Sequence, residues 1–424
     1  MAAKKGQIPS HVKKKQFIHP RIDHPLIEAL DRIEDFRKPS QFFRYSLASI
    51  IFMVLVAQVC GAKDWPQTVV MCNGITDWLG KYVDMSGGVP CERTFKDLFN
   101  LIKSESMEGL LMQTADFVRE RILGEVVSFD GQTERGTRDK TNHINGIHLL
   151  SAWSGHNNIC LGQIKVDDKS NEITAMPVLM EALDLKGTIV TADALNTQKA
   201  IIEKAQEAGA DYLFPVKGNQ ETLLQEITSA FDQLNKEQKK SLEHWELAIT
   251  KSKEHRDEKR LQKLLNEGVG TFGATSWESI EKGHGRIEIR NCTTLSAKGL
   301  PSESEWKGLR TIIRICRERK EEEKTHKETI YYISSLGQEA ELIASSVRSH
   351  WKIENSLHWR LDVVFGQDRS RYRDRNGARN LATCRKLALN LLQKETTLKR
   401  GIATKQAAAI SSSAYREKVF KNLF

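Results

Sequence analysis

The chain reads as an α/β protein: a mixed sheet flanked by helices, preceded by a helical segment and interrupted by an insertion of helix and strands. Three observations predict this. Apolar residues recur at helical spacing from His24 to about Leu123, as in Pro25, Leu26, Ile27, Leu30 and Ile33, and again in Phe95, Leu98, Phe99, Leu101 and Ile102. At Gly124 the pattern changes to short runs of β-branched and apolar residues bounded by turn residues. Those runs then alternate with helical segments, as in a sheet with helices on its faces.

In chain order, residues 1–24 are basic and irregular and read as an arm. Residues 25–123 form a helical N-terminal domain, broken by a loop at Ser86-Gly87-Gly88-Val89-Pro90. Its most apolar stretch, Tyr45 to Ala62, is short for a membrane span and carries Ser46, Ser49 and Gln58, so a buried helix is expected. Residues 124–218 give strands at Val126–Asp130, His143–Ser154, Ile159–Val166, Thr188–Ala192 and Tyr212–Val216, with helices at Glu172–Leu185 and Thr197–Ala208. Residues 219–335 are the insertion: a densely charged helix over Lys236–Lys263, then strand-like runs at Arg286–Thr293, Leu309–Cys316 and Thr329–Ser334. Residues 336–396 return to the core with two helices, and 397–424 read as a tail.

Composition is that of a globular chain of 424 residues, 39% hydrophobic and 28% charged, long enough for two or three domains. With 64 Lys and Arg against 55 Asp and Glu, the net charge of +9 favours an acidic partner such as nucleic acid. The seven Cys are scattered without a C-x-x-C pair, which argues against a disulfide frame or a zinc module and for a reducing compartment. The basic start lacks an apolar stretch of the secretory kind, so a cytoplasmic, membrane-free location is expected.

Three acids stand out. Asp130 closes Val126-Val127-Ser128-Phe129, Asp193 closes Thr188-Ile189-Val190-Thr191-Ala192, and Glu354 lies in the helical run Trp351-Lys352-Ile353-Glu354-Asn355. Sites in α/β sheets lie outside strand ends. Carboxylates held there suit hard cations such as Mg²⁺ and Mn²⁺. A lone Asp at a strand end is equally a turn residue, so the flanking residues must decide.

The runs Asp130-Gly131-Gln132-Thr133-Glu134-Arg135-Gly136, Thr191-Ala192-Asp193-Ala194-Leu195-Asn196-Thr197-Gln198-Lys199 and Val216-Lys217-Gly218-Asn219-Gln220 stand in that order. His284-Gly285-Arg286-Ile287-Glu288-Ile289-Arg290 and Arg348-Ser349-His350-Trp351-Lys352-Ile353-Glu354-Asn355-Ser356-Leu357-His358-Trp359 follow. Together they resemble the DDE transposases of the ISAs-type insertion sequences, which include the H-repeat-associated transposase-like proteins. The resemblance runs from about Pro25 to Leu392. It implies a ribonuclease-H-like core, a DNA-binding helical N-terminal domain, and Asp130, Asp193 and Glu354 as the catalytic and metal-binding triad. Three positions depart from the pattern: Gln132 where Lys is usual, Glu134 where an apolar residue is usual, and Gln367 in place of an acid before Asp368.

Further residues carry two readings each. Glu354 and His358, at i and i+4, share a helix face. His358 positions Glu354 or contacts a phosphate, or else is a surface histidine. Asp362 supports the site from behind or, the favoured reading, pairs with an Arg. Lys217 binds phosphate or belongs to a capping turn; Arg286 does the same or merely opens a strand. Trp351 and Trp359 stack on a base, or at least one packs in the core. Between Arg348 and Lys386 there are ten Lys and Arg against four Asp and Glu, with Arg369, Arg371, Arg373 and Arg375 alternating. That strip, Arg348 included, is expected to neutralise DNA phosphates.

The reading is a transposase that binds terminal inverted repeats, cuts at the element ends and joins 3′-hydroxyls to target DNA by two-metal phosphoryl transfer. Mg²⁺ is the expected ion, with Mn²⁺ able to replace it. A homodimer or larger assembly on DNA, at the bacterial nucleoid, is expected because both ends must be held. A nuclease that cuts without transposing and a catalytically silent DNA-binding descendant are the alternatives.

Overall fold

The computed structural model describes residues 25–38, 43–139, 141–167, 171–254, 257–260, 263, 273–283, 286–321 and 324–421. The expected basic arm and the His284-Gly285 pair lie outside them. The chain divides into two compact units. One comprises Met1–Arg121, Asp130–Ala175 and Lys352–Phe424, the other Ile122–Phe129 and Met176–Trp351. This division cuts across the boundaries expected from sequence: the N-terminal helices share a unit with Asp130 and Glu354, and the supposed insertion shares one with Asp193.

The first unit opens with α1 (Pro25–Asp31), α2 (Leu47–Val59), α3 (Trp65–Gly74), α4 (Thr76–Leu79), α5 (Glu92–Leu101) and α6 (Ser104–Val118). The apolar stretch is α2, and every one of its residues is buried. It has no polar face because it lies at the centre of the helices, against α1, α3 and α11 (Arg375–Lys394). Ser46 caps it, accepting a hydrogen bond from the Ser49 amide. No helix among the described residues is long and apolar enough to cross a membrane. The expected tail folds as α12 (Ile402–Ser411) and α13 (Ser413–Lys421), and Phe420 closes the core against Phe52 and Trp78. All seven cysteines are free thiols.

Strands β1 (Val126–Glu134), β2 (Ile147–Ser154) and β3 (Ile159–Lys165) take the order β3-β2-β1, with β2 and β3 antiparallel from Leu149↔Lys165 to Ser154↔Ile159. The first unit contains β2, β3 and the Asp130–Glu134 half of β1. Helices α6 and α11 both pack on β3.

In the second unit the opening half of β1 runs parallel to β4 (Ile189–Thr191), with Val126↔Ile189 and Ser128↔Thr191 in register. Next comes β5 (Asp211–Val216), parallel to β4. Beyond it the order continues β9-β8-β7-β6, all antiparallel: β6 (Thr275–Gly283), β7 (Arg286–Ser296), β8 (Thr311–Lys320) and β9 (Thr325–Ser334). The strands of the insertion therefore extend the sheet through the β5–β9 pair. Sequence reasoning missed β6 because this edge strand offers no buried apolar face: its residues are exposed or half-buried throughout. Helices α7 (Glu172–Glu181), α8 (Lys199–Glu207), α9 (Glu221–Glu254) and α10 (Ala340–His350) complete the chain order, with α7 crossing from the first unit to the second at Ala175. Strands with both parallel and antiparallel neighbours, flanked by helices, bear out the mixed α/β class.

Candidate metal centre and its surroundings

Side chains alternate along a strand, so Asp130, Gln132 and Glu134 share one face of β1. The chain after Lys352 is helical but wound wider than an α-helix: Glu354–His358 and Arg360–Val364 are π-helical, closed by bonds from the Trp359 amide to the Glu354 carbonyl and from the Phe365 amide to the Arg360 carbonyl. Such turns are rare and concentrate at functional sites. They keep Glu354, His358 and Asp362 on one face.

The two faces meet. One ligand atom each from Asp130, Glu354 and His358 lie within 4.8 Å of one another. Nδ1 of His358 stands 3.4 Å from Oδ2 of Asp130. His358 is buried against Asp130, which overturns the surface-histidine reading. Burial pushes its pKa down to about 3, helped by the Lys386 charge, so the ring is neutral. Its Nε2 is buried without a hydrogen-bond partner among the described residues. Two carboxylates and a neutral imidazole make a donor set that fits a divalent cation. The i, i+4 spacing signalled the shared face, but not that His358 would join the acids.

The residues around this cluster fix it. Gly131 has no room for a side chain: a Cβ would collide with Glu172 Oε1 and His148 Nε2, which lie 2.8 Å apart. His148 Nδ1 is in turn 2.8 Å from the Thr133 hydroxyl. Gln132 donates from Nε2 to Oδ2 of Asp362 at 2.8 Å, so the partner of Asp362 is an amide and not the expected arginine. Glu134 is 3% exposed, with Arg385 and Lys386, each 1% exposed, as its neighbouring charges. Desolvation raises the Glu134 carboxyl to about 7 against the pull of those two cations. Lys386 donates to Oε1 of Gln163 at 2.6 Å. Gln367, the third departure from pattern, is buried as well.

Arg369, Arg371 and Arg373 are exposed on the segment between Gly366 and α11. They line a cleft of about 1340 Å³ together with Lys63, Arg93 and Lys96; Lys63 Nζ donates to the Val364 carbonyl, and Arg93 is 3.4 Å from Asp97. Two acids of this cleft are spent as helix caps, Asp64 on α3 and Asp374 on α11. Arg373 is 3.6 Å from Asp139, and Arg375 is half-buried and donates to the Asn145 carbonyl, so Arg375 is turned away from the strip it was expected to join. Trp359 is 53% exposed and Trp351 is 56% exposed, so neither packs in a core.

In the second unit, Asp193 follows β4 and caps a short 3₁₀ turn, its Oδ1 accepting from the amide and the side chain of Asn196. It lines a cavity of about 80 Å³ together with Lys217, His350, Trp351 and Tyr332. His350 is hydrogen-bonded through Nδ1 to the Thr191 hydroxyl at 3.0 Å, and burial lowers its pKa to about 4. Lys217 is exposed beside Asp193. Arg286 pairs with Glu288 at 2.9 Å and Arg348 with Glu281, so both guanidiniums are held by carboxylates of the sheet.

Residues 123–391 match the family model described as Transposase DDE domain, and residues 27–114 match its associated domain. The chain is 32% identical to YncI of Escherichia coli O157:H7 over 93% of its own length and 94% of that protein. It is also 32% identical to YhhI of Escherichia coli strain K12 over 92% and 96%. Both carry the word transposase in their names, YhhI as H repeat-associated. YbfL of the same strain is 33% identical over 92% and 96%.

Proposed function

The chain belongs to the DDE transposases, and we propose that it cuts DNA at the ends of a mobile element and joins the freed 3′-hydroxyls to target DNA. The convergence of Asp130, Glu354 and His358 donor atoms within 4.8 Å carries this reading. Asp193 is assigned as the third carboxylate on its motif, which follows β4 as Asp130 follows the opening of β1. Mg²⁺ is the proposed ion, with Mn²⁺ as a substitute; thiolates, which would favour zinc, are missing from the donor set. A divalent cation held there would lower the pKa of an attacking water or 3′-hydroxyl and offset charge on the leaving oxygen.

The protein's own part is to aim and to bind. Asp130 and Glu354 present anionic oxygens, and burial keeps His358 neutral, so it offers a lone pair and not a repelling charge. Arg369, Arg371 and Arg373, with Lys96 in the same cleft, neutralise phosphates of the DNA backbone. Lys217 takes a phosphate beside Asp193. Arg286 and Arg348 reach phosphate only by exchanging their present carboxylates. Terminal inverted repeats and target DNA are the partners, and a dimer or larger assembly holds the two ends at the bacterial nucleoid.

The test is cleavage of linear DNA that carries matched inverted repeats, sought in the DNA flanking this gene. Mg²⁺ or Mn²⁺ should support cutting and strand transfer, and Ca²⁺ should allow assembly with poor turnover, because it tolerates irregular geometry. Full activity in excess EDTA would overturn the mechanism. Cutting without strand-transfer products would leave a nuclease, and end binding without cutting a silent descendant.

A further inference from the structure

We propose that Gln132 is a positioning residue, which holds Asp130 and Glu354 at ligand spacing through its bond to Asp362. This rests on the reading of Asp130, Glu354 and His358 as a cation site.

Two contacts among the described residues help join the strand face to the helix face that carries the site. The first is His358 to Asp130 at 3.4 Å, made by two of the ligands themselves. The second is Gln132 to Asp362 at 2.8 Å, two residues further along β1 and four further along the helix. Only the second is independent of what the site binds. Glu354 is exposed and sits in a π-helical turn, so local packing does little to fix it. Asp362 is half-buried, and its Oδ1 is buried without a hydrogen-bond partner among the described residues. The Gln132 amide therefore supplies the bond by which this carboxylate grips the strand.

The residue type matters. A neutral donor ties strand to helix without cancelling the negative charge that draws a cation toward Asp130 and Glu354. Ligand sites tolerate displacements of only about 0.5 Å, and groups that orient ligands typically govern about 10–100-fold in metal affinity. Gln132 is also one of the three departures from the family pattern. In this structure it is not a lost Lys but a working amide.

The experiment is titration of the full-length, DNA-free protein with Mn²⁺ by calorimetry, with thermal unfolding in EDTA alongside. Gln132→Ala should weaken Mn²⁺ binding about tenfold or more, with a midpoint of unfolding close to wild type. The reversed pair, Gln132→Glu with Asp362→Asn, keeps the net charge and restores a donor–acceptor bond in the opposite sense, and should bind within about threefold of wild type. Unchanged affinity in Gln132→Ala overturns the proposal. If Gln132→Ala does not fold, the reversed pair decides: wild-type affinity supports the proposal, and a tenfold loss overturns it. A wild-type protein that takes up no Mn²⁺ overturns the site reading itself, which separates the two failures.

Discussion

Two groups of cations stand close together in the sequence and do opposite work. Arg369, Arg371 and Arg373 are exposed along a cleft, and Arg385 and Lys386 are buried on α11 beside Glu134. Counted together they made one basic strip. In the structure, the first group faces solvent, where charge is cheap and a phosphate can be met. The second group is desolvated and lies beside a buried carboxyl, Glu134, on the strand that carries Asp130. A charge count therefore reports affinity for nucleic acid only for residues that face outward. The inward ones belong to the scaffold of the site.

The largest effect that sharpens this contrast concerns chemistry. Asp130→Ala, Asp193→Ala and Glu354→Ala should each abolish cleavage while DNA-end binding stays nearly intact, since the outward cations are untouched. Gel-based cleavage beside binding isotherms checks it, and near-normal cutting in one variant removes that residue from the site.

Next comes the inward balance. The Glu134 carboxyl is raised from 4.5 to about 7 in the fold. Its protonated form is therefore favoured: the contribution is fully present below pH 4.5 and is lost as pH rises through about 7. Glu134→Gln should remove that loss. Urea unfolding at pH 4.5 and pH 7.5 should show the variant gaining on wild type by about 3 kcal/mol between the two, at roughly 1.4 kcal/mol per unit. Parallel curves would mean that Arg385 and Lys386 already hold Glu134 ionised.

The smallest effect tests the outward group. Arg369→Gln with Arg371→Gln should flatten the slope of log affinity against log salt by about 2, with little change in sequence preference. Stability should move by less than about 0.5 kcal/mol per site, as for exposed substitutions in general. An unchanged slope would assign these arginines to solvent or to a protein interface.

The α/β class and most strands were legible because each depends on local apolar period, and residue runs marked Asp130 and Glu354, whose ligand atoms meet; Asp193 rests on its run alone. What was not legible depended on packing. The inward turn of Arg385 and Lys386 needs the partner Glu134, distant in sequence. The burial of His358 depends on the strand opposite. β6 has no apolar face to betray it, and Asp362 found an amide because Gln132 shares a strand face with Asp130. Residues 397–424 looked like a tail because two short helices give little period, yet Val419 and Phe420 are fully buried.

The π-helical winding from Glu354 to Val364 bears on how such a gene decays. A π turn holds one residue more than the α turn it replaces. Loss of a single codon within it would let one of the two π turns relax to ordinary pitch and shift the register of this face against β1. Glu354 would then be displaced from Asp130, while the exposed Arg369, Arg371 and Arg373 would keep their place in the chain beyond the lost residue. A copy silenced in this way would be an occupant of the element's ends that never cuts, and so a competitor of its active siblings.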